Sequence, residues 1–359
     1  MENSNNYVLI MAGGVGSRFW PKSRNSFPKQ FVDILGTGKS LLQYTFERFE
    51  KICLNENIFI LTNSQYKDLV SEQLPNIPVD NILLEPSRNN TAPCLAYASY
   101  KIMKINPEAS IVVAPSDHLI LKEEYFLDKI KMALEFSKTN DSIITLGITP
   151  TRADTGYGYI KFNESKSEVC KVESFLEKPS FQKAQEYIQS GFYLWNAGIF
   201  IWSVKTIHEA FKKYSLEIHN LFINGMNFYN TIDEVKFINS EYPKSPNISI
   251  DYAILEKANN IYTIPAEIGW SDLGTWASLH ETLDKDENNN SSTSDSVEFI
   301  ETENCLVDIE EGKVAVINGL QDYIIVSEKD ILLICPKSKE QEVKNMASKV
   351  VRKYGIKYE

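Results

Sequence analysis

The chain has 359 residues, a formal net charge of −11, 43% hydrophobic and 24% charged residues, which describes a soluble globular protein of about two domains. The acidic balance argues against a nucleic-acid binder, although a local basic cluster could still hold a small anion. No apolar run approaches the roughly 18 residues of a membrane helix, and the start Met-Glu-Asn-Ser-Asn-Asn lacks the basic and apolar parts of a signal peptide, so a cytoplasmic protein without membrane partners is expected.

Residues 7–12 read as a buried strand, 41–52 have helical spacing, and 58–62 are again strand-like. Asn90 and Thr91 offer a cap to a helix over 92–105. A strand at 110–114, a helix at 123–137 and a strand at 142–147 continue the alternation. This pattern predicts an α/β, Rossmann-like, mainly parallel sheet with helices on both faces. Ligands of such sheets bind outside the carboxyl ends of the strands. The middle of the chain mixes strands at 158–162, 169–176 and 197–202 with helices near 181–189 and 249–258. The stretch 284–296, DKDENNNSSTSDS, has no large apolar residue and reads as a solvated linker. Short strands at 297–301, 305–308, 314–317, 323–326 and 331–335 follow, then an amphipathic helix from about 339 to 352. The expected division is a catalytic domain over 1–283, a polar linker over 284–296 and a small β domain with a terminal helix over 297–359, with no strong sequence repeat.

The five cysteines, Cys53, Cys94, Cys170, Cys305 and Cys335, form no C-x-x-C pair, and the four histidines are dispersed. Neither a disulfide framework nor a zinc or histidine-ligated metal is indicated.

The first strand ends in Ala12-Gly13-Gly14-Val15-Gly16-Ser17-Arg18, followed by Phe19 to Gln30. Glycines let backbone N–H groups approach a phosphate closely. Arg18, Lys22, Arg24 and Lys29 place four positive charges within twelve residues of an acidic chain. A dinucleotide fingerprint fails, because Phe19 stands at the third glycine. A P-loop ending in Gly38-Lys39-Ser40 fails as well, because Asp33 stands at its first glycine; that segment reads as a turn capping the next helix.

The segment L-I-M-A-G-G-V-G-S-R-F-W-P…F-P-K-Q-F resembles the signature of sugar nucleotidyltransferases, specifically the mannose-1-phosphate guanylyltransferase family. The resemblance continues through E-P-S-R-N-N-T-A-P at 85–93, P-S-D-H at 115–118, G-Y-G-Y-I at 156–160 and F-L-E-K-P at 175–179. It extends over W-N-A-G-I-F at 195–200, S-I-D-Y-A-I-L-E-K at 249–257 and W-S-D-L-G-T-W at 270–276. It implies that Ala12, Gly13, Gly14, Gly16 and Ser17 hold the nucleotide, and that Glu85, Asn90 and Thr91 meet its base. Arg18 would neutralise the β/γ-phosphates and Lys29 the α-phosphate. Asp117, at the end of a strand, and Asp272 would share a magnesium ion (Mg2+), which needs only one or two carboxylates when phosphates complete its shell. Gly158, Glu177, Lys178 and Asn196 would hold the sugar phosphate. Two departures stand out: Ala197 replaces the family's serine, and Arg88 precedes Asn89-Asn90-Thr91 one place early.

The implied reaction joins GTP and α-D-mannose 1-phosphate into GDP-mannose and pyrophosphate by direct in-line attack. The alternatives are UTP or dTTP with glucose 1-phosphate, a non-catalytic sugar-nucleotide-sensing paralogue, and a P-loop kinase acting through Lys39. The tail resembles the β-rich segment of this family, which is related to left-handed β-helices and often serves dimer contacts, so a homodimer is compatible with it. At about 60 residues it is too short for the isomerase domain of longer relatives, and no phosphomannose isomerase activity is expected.

Overall fold

A computed structural model describes residues 5–163 and 165–359; the polar start, residues 1–4, lies outside them. The chain divides into two compact units, one of Met1–Gly13, Phe46–Pro115 and Ile120–Trp270, the other of Gly14–Thr45, Ser116–Leu119 and Ser271–Glu359.

The first unit holds a nine-stranded sheet among the described residues. Its order is Ile82–Glu85, Ile58–Asn63, Asn6–Met11, Ser110–Pro115, Tyr193–Ser203, Ile143–Ile148, Ile261–Pro265, Cys170–Leu176 and Tyr159–Phe162. The first four strands are parallel, and the strand order reverses between Asn6–Met11 and Ser110–Pro115, the kind of switch point where α/β sheets bind ligands. From there the sheet is mixed: Tyr193–Ser203 runs antiparallel to both neighbours, and Tyr159–Phe162 pairs antiparallel with Cys170–Leu176. The connection between those last two strands is too short for the crossover that a parallel pair requires.

The parallel half follows from its sequence. Tyr7, Leu9, Phe59, Leu61, Ile111 and Val113 pack into one core with Leu95, Ala98 and Ile102 of the helix Thr91–Ile105. The alternate residues Val8, Ile10, Ile60 and Val112 are also buried and point to the opposite face. There the helix Glu123–Thr139 touches Ser110–Pro115, Ile143–Ile148 and Tyr193–Ser203. Strands covered on both faces need continuous apolar runs. The four-residue strand Ile82–Glu85 and the helices Val204–Tyr214, Leu216–Ile223 and Glu234–Glu241 complete this unit and carried no reading from sequence. The helix expected at 249–258 is a π-helix, Asp251–Leu255, a rare form often found at functional sites.

In the second unit, Phe19, Trp20, Val32 and Leu41 share one core with Leu273, Trp276, Leu306, Ile324 and Val343. The C-terminal β domain stacks parallel strands: Val297 lies beside Ala315, and Leu306 beside Ile324, an offset of 18 residues in both. The repeat is carried by register and not by residue identity, which is why the sequence hides it. Within the polar stretch 284–296, residues 284–289 are exposed, whereas 290–294 are buried or half-buried and Ser291 lies beside Leu306 in parallel register. Asn290 is 1% exposed; its amide donates to the Thr302 carbonyl at 2.8 Å and its oxygen accepts from the Cys305 N–H at 3.0 Å. Satisfied polar side chains can replace apolar ones inside a coil. Among the described residues no helix is long and apolar enough to cross a membrane.

Candidate active site

The glycine-rich segment of the second unit turns on Gly16. Its φ is +69°, and a Cβ there would lie 2.4 Å from Lys29 Cβ. Only glycine tolerates both conditions. The turn then forms the short 3-10 helix Ser17–Phe19. The Lys29 N–H donates to the Val15 carbonyl at 3.2 Å, and Gln30 Nε2 to the Gly14 carbonyl at 2.9 Å. Arg18 is exposed and, among the described residues, makes no hydrogen bond or ion pair, so its guanidinium is available to an anion.

Lys29 is 3% exposed. Its ammonium donates to Asp117 Oδ2 at 2.9 Å and to the Asp272 carbonyl at 2.7 Å, and sits over the Phe19 ring. An ammonium has three donors, so a third remains for an incoming oxygen. Burial pushes the Asp117 carboxyl up, but the charges of Lys29 and His118 and its hydrogen bonds outweigh this and hold it below the usual range. Asp272 is fixed by the Gly274 N–H at 2.9 Å, and Leu273 beside it takes φ 42°. A left-handed β-unbranched residue costs on the order of 1 kcal/mol or more, and such strain gathers at functional sites.

The other two bases of the loop point elsewhere. Lys22 pairs with Asp308 at 2.6 Å and Arg24 with Asp330 at 2.9 Å. The charge cluster seen in sequence therefore splits into two groups, Arg18 and Lys29 in one and Lys22 and Arg24 in the other. Gly38-Lys39-Ser40 is the capping turn expected: Asp33 accepts from the Gly38 N–H at 2.6 Å, and Ser40 and Gln43 exchange side-chain-to-backbone bonds ahead of Leu41–Glu50.

Within the first unit, Glu85 ends its strand 9% exposed. Its Oε2 accepts from the Tyr242 phenol at 2.5 Å, and its Oε1 lies 3.4 Å from where a Cβ on Gly13 would stand. Burial raises the Glu85 carboxyl to about 7, against the Tyr242 hydrogen bond and the charge of Arg88. Tyr242 is pushed up by burial as well and stays a donor. Asn90, with φ 68°, opens the helix at Thr91 and accepts from the Thr91 N–H at 2.9 Å. Thr91 Oγ1 accepts from the Ile250 N–H at 2.9 Å. Asn89 is tied to Ser245 instead, donating to its carbonyl at 2.7 Å.

A second group in this unit gathers Gly158, Glu177, Asn196 and Asp251. A Cβ on Gly158 would lie 2.4 Å from Glu177 Oε1. The Asn196 N–H donates to the Gly158 carbonyl at 2.8 Å. Its amide nitrogen donates to Asp251 Oδ1 at 3.0 Å, and its amide oxygen accepts from the Gly198 N–H at 3.0 Å. Burial raises both Glu177 and Asp251, and Asp251's charge raises Glu177 further. Lys178 is exposed, with φ 44°, and its charge opposes both shifts. Asp251 and Tyr242 were not singled out from sequence. Asp251 lies inside a recognised motif, whereas nothing around Tyr242 signals its contact with Glu85.

Residues 7–289 match the family described as nucleotidyl transferase, and the chain belongs to it. Residues 295–350 match the MannoseP isomerase/GMP-like beta-helix domain. The chain is 36% identical over 358 residues to a mannose-1-phosphate guanylyltransferase of Salmonella montevideo, covering 95% of this chain and 73% of that one. It is 34% identical to the alginate biosynthesis protein AlgA of Pseudomonas fluorescens, covering 95% and 71%. A Thermus thermophilus structure described as a mannose-1-phosphate geranyltransferase superposes with a TM-score of 0.86 at 27% identity, over 96% of this chain and 99% of that one. Within its family the chain is thus a mannose-1-phosphate guanylyltransferase-like sugar nucleotidyltransferase.

Proposed function

We propose that the protein transfers GMP from GTP to α-D-mannose 1-phosphate, releasing pyrophosphate. The observation that carries this reading is Lys29. One buried ammonium ties the glycine-rich segment to Asp117 and to the backbone of Asp272, three motifs far apart in sequence and all expected at the phosphates. The sugar phosphate is already an anion, so no covalent enzyme intermediate is needed. Its oxygen attacks the α-phosphorus in line with the departing pyrophosphate, and catalysis is positioning plus charge stabilisation. Arg18 meets the β/γ-phosphates, the third Lys29 donor the α-phosphate, and Lys178 the incoming phosphate. Glu177 and Asn196 take the sugar hydroxyls. Glu85, Asn90 and Thr91 serve the base, where ionised Glu85 accepts from guanine N1–H and its amine.

Among the described residues no group of three or more His, Cys, Asp or Glu could hold a metal by itself. A nucleotide-bound magnesium ion needs only one or two carboxylates, and Asp117 and Asp272 offer hard oxygens, each fixed by a hydrogen bond. The donors therefore fit Mg2+, which when bound would offset negative charge on the phosphates. A cytoplasmic homodimer is part of the same reading. The edge strand Ile331–Pro336 leaves Leu332 and Ile334 64% and 54% exposed, the type of surface a second copy could cover.

The test is pyrophosphate release over a matrix of nucleoside triphosphates and hexose 1-phosphates with magnesium. Preference for GTP with mannose 1-phosphate supports the reading. Preference for UTP or dTTP with glucose 1-phosphate replaces the substrates, and binding without turnover in any pairing points to a sensing paralogue.

A further inference from the structure

We infer that the C-terminal β domain holds the triphosphate-binding loop in its working shape, with Asp308 and Asp330 as positioning residues for nucleotidyl transfer. This rests on the reading that Gly14–Ser17 and Arg18 meet GTP. The segment just after that loop is bound to the C-terminal region through four of its residues, Trp20, Lys22, Arg24 and Asn25. Trp20 Nε1 donates to the Tyr358 carbonyl at 2.8 Å. Lys22 pairs with Asp308, which is 1% exposed and also accepts from the Thr293 hydroxyl. Arg24 pairs with Asp330, and the Asn25 N–H donates to the Glu359 carbonyl at 3.1 Å.

The same segment is bonded back to the loop. Ser23 Oγ donates to the Val15 carbonyl at 2.5 Å. The Lys22 and Ser23 N–H groups donate to the Phe19 carbonyl at 3.0 and 3.1 Å. Phe19 itself packs on Trp276, with ring centroids 4.9 Å apart. A backbone anchored on both sides keeps its N–H groups aimed without reorganising when an anion arrives, which is the condition for strong electrostatic stabilisation. Lys22 and Arg24 are therefore loop anchors that fix where Arg18 stands. Losing one partner of the Lys22–Asp308 pair leaves a buried charge uncompensated, and the loop next to it would shift to rehydrate that charge.

The experiment measures kcat and both KM values for the full chain and for Asp308→Asn, Lys22→Met, the double variant and Asp330→Asn, with thermal melting alongside. Asp308→Asn and Lys22→Met should each raise the GTP KM about five- to tenfold, with the mannose 1-phosphate KM within about twofold. The double variant should be no worse than either single one, because the two residues act as one unit. Asp330→Asn, whose carboxylate is 44% exposed, should raise the GTP KM about two- to fourfold with unchanged melting, and it decides alone should Asp308→Asn not fold. A purely structural role would lower melting and active fraction without separating the two KM values. Unchanged GTP KM in folded variants, or equal rises for both substrates, would overturn the inference. A parent protein that accepts no nucleoside triphosphate would overturn the nucleotide reading and this inference with it.

Discussion

Lys29 and Asp117, separated by 88 positions in sequence, form an ion pair of 2.9 Å in which the lysine is 3% and the aspartate 34% exposed. The same ammonium holds the Asp272 backbone at 2.7 Å. The lysine expected to meet the α-phosphate is thus first a clamp for the two carboxylate segments, and Gly16 packs against its stem.

Lys29→Met keeps the stem and removes the charge. It should leave Asp117 without its main counter-charge and lower turnover by at least about 100-fold, the usual cost of losing a preorganised donor. Steady-state pyrophosphate release checks this. A rate within about threefold of the parent would remove Lys29 from the reaction. Folding stability should fall by about 1–3 kcal/mol in urea titrations, for the half-buried carboxylate left behind.

Chelation of divalent metal should abolish turnover, and added magnesium should restore it. Asp117→Ala and Asp272→Ala should each lower kcat by orders of magnitude even at saturating magnesium. Persistent activity in EDTA would exclude the two-carboxylate arrangement.

Asp251→Asn places an amide against the Asn196 amide nitrogen, replacing a 3.0 Å charge-assisted bond by one that must be remade. The mannose 1-phosphate KM should rise about tenfold, equivalent to about 1.4 kcal/mol. The GTP KM should stay level; an effect confined to GTP would place Asp251 outside the sugar group.

Glu85 gives a pH signature. Its carboxyl is raised by burial from 4.5 to about 7, so the stability it contributes is complete below pH 4.5 and is lost as pH rises through 7. Glu85→Gln should therefore gain stability relative to the parent between about pH 5 and 8, by about 1–3 kcal/mol. If ionised Glu85 accepts from guanine, the parent's GTP KM should fall over about pH 6 to 8 and the variant's should stay flat. A parent profile as flat as the variant's would sever Glu85 from the base.

Burial on both faces made the parallel strands legible, because Val8, Leu9 and Ile10 must all be apolar when helices cover both sides. The glycine turn was legible because φ at Gly16 and its approach to Lys29 admit one residue type. Motif order brought Asp117, Asp272, Glu177 and Asn196 into view. What only the tertiary structure decided is which charges face each other. Lys22 and Lys29 look alike in sequence, yet one is paired with Asp308 in the β domain and the other with Asp117. Asp251 and Tyr242 meet Asn196 and Glu85 only because a π-helix and a short 3-10 turn set them there. The β domain's 18-residue coil also lay hidden, since parallel register depends on backbone pairing and tolerates a buried Asn290 wherever its amide is satisfied. Sequence determines the chemical types available at each position; the partner each one meets depends on contacts between residues tens to hundreds of positions apart, which local patterning does not encode.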